Sequence, residues 1–273
     1  MEKIHLLIQL TRLDKPIGIL LLFWPCLWGL TLGYYLNDSQ NLYLEYVILF
    51  FIGSILMRSA GCIVNDVIDK NFDKKVKRTR NRPIASGKIS IFEGLFYVFA
   101  FCLTALIILL KFNFLTIILG MLSIIFAFTY PFMKRITYWP QLFLGLTFNW
   151  GIIMGWTAMT NSLSIEPFIL YLSAIFWTLG YDTIYGLQDI VDDKIIGIKS
   201  TSIKFRKNVK FFVGTCYFLC VIVALIFLMF LEQNKYFLIF FTLFVITLIY
   251  QMRKFNPKKP KTCLEAFKLN NLS

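Results

Sequence analysis

Long apolar runs alternate with short polar breaks along this chain, at about residues 17–36, 43–64, 91–110, 112–130, 138–159, 166–187, 208–231 and 235–252. Each is close to the ~20 residues a helix needs to cross a bilayer at a rise of about 1.5 Å per residue. The pattern predicts an all-α integral membrane protein, a bundle of eight transmembrane helices around a central cavity. Composition agrees: 58% of residues are hydrophobic and 16% charged, a balance that excludes an ordinary soluble globule.

The polar breaks differ sharply in charge. Lys3, Arg12 and Lys15, the eight basic residues from Lys70 to Lys88, Lys134 and Arg135, the six from Lys194 to Lys210 and the six from Arg253 to Lys268 all fall on one side of an eight-helix topology. The opposite loops hold only Lys111 and Lys235, and Arg58 lies inside a run, so the first side takes 25 of the 28 basic residues. The positive-inside rule makes that side cytoplasmic and puts both termini there. A net charge of +13 then serves topology and contact with anionic membrane lipid, and no nucleic-acid partner is needed to explain it. The polar stretches 37–41 and 161–166 on the other side read as plain turns.

Two acidic clusters end apolar runs on the basic side: Asn65, Asp66, Asp69 and Asp73, and Asp182 with Asp189, Asp192 and Asp193. They hold seven of the fifteen acidic residues. At about 100° per residue, Asn65, Asp66, Asp69 and Asp73 fall within about 100° of arc, and Asp182, Asp189 and Asp193 within about 40°. Like charges on one face repel unless a cation lies between them. Hard oxygen ligands of this kind suit Mg²⁺, which takes one or two carboxylates and leaves its other positions to water and phosphate oxygens. Two facing Mg²⁺ sites would hold a diphosphate. Gly61 precedes the first cluster and Gly180 the second, each with a D-x-x-x-D, an echo four helices apart that suits a pseudo-repeat.

Other chemistry is thin. His5 is the only histidine, which excludes histidine-based catalysis and metal binding, and the six cysteines show no C-x-x-C spacing and read as small apolar packing residues. The first sixteen residues carry Glu2 and Asp14 and no separate apolar region, so neither a cleaved leader nor a transit peptide is expected, and a bacterial cytoplasmic (inner) membrane is. Arg58 lies two turns before Asn65, where a charge without a partner costs ~2.5–3.5 kcal/mol or more, so a carboxylate is expected beside it. Asp66 and Asp182 are candidates.

The blocks around these positions resemble a known family. Asn65-Asp66-x-x-Asp69-x-x-x-Asp73 and Tyr181-Asp182 with Asp189-x-x-x-Asp193 are similar to the two signature motifs of the UbiA-type membrane prenyltransferases. The blocks 12–18 (RLDKPIG), 57–62 (MRSAGC), 77–83 (KRTRNRP), 130–135 (YPFMKR) and 196–201 (IGIKST) resemble the branch that acts on 4-hydroxybenzoate. The resemblance implies Mg²⁺-dependent transfer of a polyprenyl group from polyprenyl diphosphate to the ring carbon ortho to the hydroxyl of 4-hydroxybenzoate, in ubiquinone biosynthesis. It implies catalytic and metal-binding roles for Asp69, Asp73, Asp189 and Asp193, with Asn65 as a further ligand. Lys134, Arg78, Arg80 and Arg82 would contact diphosphate, Arg58, Arg12 and Lys15 the acceptor, and Asp66, Asp182 and Tyr130 would support the site. The acceptor's carboxylate is thus another candidate partner for Arg58.

Family members usually have nine helices, and residues 1–273 read as a single prenyltransferase domain whose ninth helix is missing. Two alternatives stand beside this reading: a prenyltransferase for another acceptor, naphthoate or haem, or a cation-coupled transporter. A transporter should link both faces with polar groups, whereas the outer halves of these runs are almost purely apolar.

Overall fold

The computed structural model describes residues 2–37, 42–76, 78–229 and 235–271. Residues 38–41, part of the stretch expected to form a turn, lie outside the described set, as does Lys77. Among the described residues all regular structure is helical. The helices are α1 (Glu2–Thr11), α2 (Ile17–Asn37), α3 (Tyr43–Ile68), α4 (Lys70–Asp73), α5 (Ile91–Leu109), α6 (Phe114–Ile136), α7 (Pro140–Asn149), α8 (Gly151–Thr160), α9 (Ile165–Gly186), α10 (Ile190–Ile196), α11 (Thr201–Lys204), α12 (Val209–Leu228), α13 (Lys235–Lys254) and α14 (Pro260–Lys268).

Seven of the described helical stretches are long and apolar enough to cross a membrane, α7 and α8 counting together as Pro140–Thr160. The eighth expected run is filled by α9, which has the length, 22 residues, but is not among the seven. Its middle is buried nearly all round, with Ser173, Ala174, Thr178, Gly180 and Thr183 among the buried positions. A helix surrounded by protein can carry small and polar residues that let neighbouring backbones approach, whereas one facing lipid has to be apolar. α5 shows the opposite case: Phe92, Phe96, Phe99 and Ile107 are exposed along it, as suits a lipid-facing surface.

The chain divides into two compact units, one of Met1–Pro131 with Met154–Ser162 and one of Phe132–Ile153 with Leu163–Ser273. In the first unit α2 packs on α3 around Phe23, Cys26, Leu30 and Phe50. The backbone of α8 lies directly on α2: a Cβ on Gly155 would fall on the Cys26 carbonyl and the Leu30 amide. Leu10, Ala60, Ile63, Ile84, Ile89 and Val98 form a second cluster that gathers α1, α3, α5 and the loop before α5. That loop enters α5 through an N-cap, the Ser90 hydroxyl accepting from the Glu93 amide at 3.1 Å, which satisfies one of the donors a helix start leaves open.

In the second unit α9 is the central element, packed against α7, α12 and α14. The Asn149 side-chain amide donates to the Ala174 carbonyl at 3.1 Å and to Thr178 Oγ1 at 2.8 Å, tying α7 to α9. Ser173 donates to the Cys220 carbonyl at 2.9 Å on the α12 side. Hydrogen bonds of this kind add to the contact of small residues where no hydrophobic drive between helices exists.

Candidate active site

The first acidic segment begins inside α3 and runs through a tight junction into α4. Asp69 sits between the two helices at φ −92°, ψ 2°. The Asp69 amide still donates to Asn65 O at 2.9 Å and the Asp73 amide to Asp69 O at 2.8 Å. The one-turn spacing of Asn65, Asp69 and Asp73 therefore survives the end of α3. Asn65 is half-buried, while Asp66, Asp69 and Asp73 are 1%, 3% and 7% exposed. Carboxylates so withdrawn from water require countercharge.

Two arginines supply it. Asp66 accepts from Arg12 Nη2 on both oxygens, at 2.9 and 2.7 Å, and from Arg82 Nη1 at 3.0 Å. The same Arg82 nitrogen donates to Asp73 Oδ2 at 2.9 Å. Arg12 reaches Asp66 from the reversal that ends α1, where its backbone is left-handed at φ 61° and the Leu13 amide closes on Ile8 O at 3.2 Å. Glycine is the usual residue at this position of a helix end, so a side chain here costs strain. The pairing with Asp66 offsets it. Arg82 is delivered by a loop that Asp73 itself helps order, since the Thr79 hydroxyl donates to the Asp73 carbonyl at 3.0 Å.

Burial pushes the Asp73 carboxyl above its ordinary range. Arg82 opposes the shift, and the negative charges of Asp66 and Asp69 add to it. Arg12 and Arg82 thus pair with two of the three buried acids, Asp66 and Asp73. Among the described residues no three His, Cys, Asp or Glu side chains converge tightly enough to hold a metal ion by themselves.

Of the other basic residues, Arg78 and Arg80 are exposed on the same loop. Lys15 is exposed and lies 3.9 Å from the neighbouring Asp14. Arg58 lies on α3 with its guanidinium packed against Gly18 of α2: a Cβ on Gly18 would stand 2.7 Å from Nε and 2.9 Å from Nη2. Asp66, one of the partners expected for Arg58, pairs with Arg12 and Arg82. Tyr130 is half-buried on α6.

The second acidic segment belongs to the second unit. Here the helical face drawn through Asp182, Asp189 and Asp193 is corrected. α9 ends at Gly186, tightening through the contacts Leu187 N to Ile184 O and Gln188 N to Tyr185 O, and Asp189 is the N-cap of the separate helix α10. Only Asp189 and Asp193 keep the one-turn relation, with the Asp193 amide donating to Asp189 O at 2.8 Å. Asp182, Asp189, Asp192 and Asp193 are half-buried. α10 stops in a Schellman turn: Gly197 is left-handed at φ 80°, and the Ile198 amide reaches Asp193 O at 2.9 Å.

The chain then returns to α9. Ser202 donates to the Thr183 carbonyl at 2.8 Å, Thr183 and Thr201 share a 2.7 Å contact, and the Thr201 amide donates to Gln141 Oε1 at 3.0 Å. The Lys199 amide donates to the Lys134 carbonyl at 2.8 Å, so the segment after α10 also fixes the backbone of Lys134. Gly18, Gln141 and Ser202 had no role assigned from sequence. Gly18 at least stood within the block 12–18, whereas nothing local distinguishes Gln141 from any other polar residue near a helix start.

Comparison with known proteins shows the family and the fold. Residues 22–272 match the model of the UbiA prenyltransferase family. The mitochondrial 4-hydroxybenzoate polyprenyltransferase of Rattus norvegicus is 49% identical over 206 residues, covering 74% of this chain and 54% of that protein. Its Arabidopsis thaliana counterpart is 46% identical over 211 residues, covering 77% and 51%. The chain thus spans about half the length of the curated relatives it matches. A UbiA homolog from Archaeoglobus fulgidus bound to GPP and Mg²⁺ shares the fold, with a TM-score of 0.78 at 17% identity over 98% of this chain and 95% of that one. The mitochondrial relatives overturn the expectation of a bacterial inner membrane. Loop charge distinguishes the two faces of a membrane and carries no information about which organelle or cell that membrane belongs to. On the family match over residues 22–272, the chain belongs to the UbiA prenyltransferase family.

Proposed function

We propose that this protein transfers a polyprenyl group from polyprenyl diphosphate to the ring carbon ortho to the hydroxyl of 4-hydroxybenzoate, in a mitochondrial membrane. The observation that carries the reading is the buried trio Asp66, Asp69 and Asp73 with Arg82 shared between two of them. The relatives' substrates, carried to this chain, supply the acceptor.

Mg²⁺ bound at each acidic segment would supply Lewis-acid stabilisation of the negative charge on the departing diphosphate. Asn65, Asp69 and Asp73 are the ligands proposed for one segment, and Asp189 and Asp193 for the other. The allylic carbon–oxygen bond breaks and its electron pair leaves with diphosphate. The ring carbon ortho to the hydroxyl attacks the allylic carbon, and the proton on that ring carbon is lost to water as aromaticity returns. Lys134 is proposed to bind diphosphate together with Arg78 and Arg80, while Arg82 holds Asp66 and Asp73 in place. Arg58 is proposed to meet the acceptor carboxylate, on the resemblance of the block 57–62 to the branch that acts on 4-hydroxybenzoate.

The test is transfer by the purified protein in lipid. Radiolabelled 4-hydroxybenzoate and a polyprenyl diphosphate should yield a labelled lipid in the presence of Mg²⁺ and none after chelation. Turnover that persists in excess chelator would sink the metal assignment, and no product with 4-hydroxybenzoate but product with naphthoate would sink the acceptor.

A further inference from the structure

α9 carries three aromatic residues one turn apart, Trp177, Tyr181 and Tyr185, and the segment 260–271 closes over them. The Trp177 indole N–H donates to Asn270 Oδ1 at 3.0 Å. Gln251 Nε2 donates to the same oxygen at 3.0 Å, and Asn270 Nδ2 donates to the Phe267 carbonyl at 2.8 Å. The Tyr217 hydroxyl donates to Gln251 Oε1 at 2.7 Å. The Phe267 ring lies 5.8 Å from that of Tyr181 and 4.5 Å from that of Tyr185, and Tyr181 meets Trp177 edge-on at 4.8 Å.

The orientation of both amides follows from one group. An indole N–H can only donate, so the Asn270 atom facing it is the oxygen. That oxygen requires the nitrogen of Gln251, and the Gln251 oxygen is left to accept from Tyr217. No other assignment satisfies all four side chains. Trp177 is 1% exposed, and Gln251 and Asn270 are 0% exposed. A polar network sealed this far from water is held in one arrangement, because each hydrogen bond lost strands a donor or acceptor that water cannot reach.

The network thereby grips the helix that leads into the second acidic segment. Tyr181 precedes Asp182 directly, and Asp189 begins α10 three residues after α9 ends. We propose that Asn270 is a positioning residue for that segment: through Trp177 and Phe267 it sets the rotation and axial placement of α9, and so of Asp182 and Asp189. Its contribution to catalysis rests on the reading of Asp189 and Asp193 as Mg²⁺ ligands.

The test uses the full chain with Asn270→Ala and, as the gentler variant, Trp177→Phe, which keeps the ring against Tyr181 and removes only the N–H. Amide hydrogen exchange should accelerate over residues 181–196 in both by about tenfold, one buried partner lost at ~1.4 kcal/mol per decade. The Mg²⁺ concentration for half-maximal transfer should rise while the KM for 4-hydroxybenzoate is unchanged. Faster exchange confined to 260–271, or spread evenly over all helices of the unit, would overturn the proposal, as would equal losses in Mg²⁺ and acceptor affinity. If Asn270→Ala does not fold, Trp177→Phe decides alone. Absence of transfer by the unaltered protein would refute the functional reading and leave the exchange result to judge the positioning role.

Discussion

Arg58 rests on Gly18, so closely that a single methyl group on Gly18 would press 2.7 Å from the guanidinium Nε. The contact joins the start of α2 to α3. It fixes where the guanidinium lies and therefore where an acceptor carboxylate could meet it.

Gly18→Ala should displace Arg58 and raise the KM for 4-hydroxybenzoate about tenfold, from overpacking at ~1–3 kcal/mol. The KM for the prenyl diphosphate should change little. If Arg58 is the acceptor contact, Arg58→Ala should give the same selective loss, and the double variant should lose little more than either single one. Additive losses, or equal losses for both substrates, would separate Gly18 and Arg58 from the acceptor.

Asp66 is held by two arginines, so Asp66→Ala should leave Arg12 and Arg82 without their shared partner and destabilise the protein by about 3–5 kcal/mol. A fall in thermal midpoint in detergent measures it. Asp69→Ala should abolish transfer even in protein that stays folded. The reverse pattern would exchange the roles of the two acids.

Asp73 sets a pH dependence. Its folded carboxyl is raised above the ordinary 3.8, first by burial, so the folded state takes up a proton more readily than the unfolded chain. Stability from this group is present below the unfolded value and is lost as pH rises through the raised one. Mg²⁺ binding would reverse the sign, so the gain in thermal midpoint on adding Mg²⁺ should be larger at pH 7 than at pH 5. Asp73→Asn should remove most of that difference, and a gain independent of pH would count against Asp73 as a ligand.

Gly186 leaves room for Ser202, whose hydroxyl a Cβ would approach to 2.5 Å. Gly186→Ala should therefore push Ser202 off the Thr183 carbonyl, at a cost of about 0.5–1.5 kcal/mol for the hydrogen bond plus any strain. Ser202→Gly in the same chain should recover part of the lost thermal midpoint. No recovery would show that crowding at this pair is not what the substitution changes.

The order of apolar runs was enough to place the seven stretches of the described residues that are long and apolar enough to cross a membrane, because a lipid-facing surface has to be apolar over about 20 residues wherever the rest of the chain goes. The basic loops and the one-turn spacings Asp69/Asp73 and Asp189/Asp193 were legible for the same reason: each is local. The reading failed across residues 186–189, where a helical face was extended through a break that no proline or glycine run announces. It also understated α9, whose burial among α7, α12 and α14 depends on partners distant in the chain.

Sequence alone therefore determined an all-helical membrane chain with two acidic segments on its basic side, since hydropathy, charge and i, i+4 spacing act within a few residues. Tertiary structure decided which arginines meet Asp66 and Asp73. It brought Arg12 to Asp66 across 54 positions and Asn270 to Trp177 across 93. Pairings at such separations follow from how whole helices pack, and a buried charge or amide selects among the partners that packing has already brought within reach.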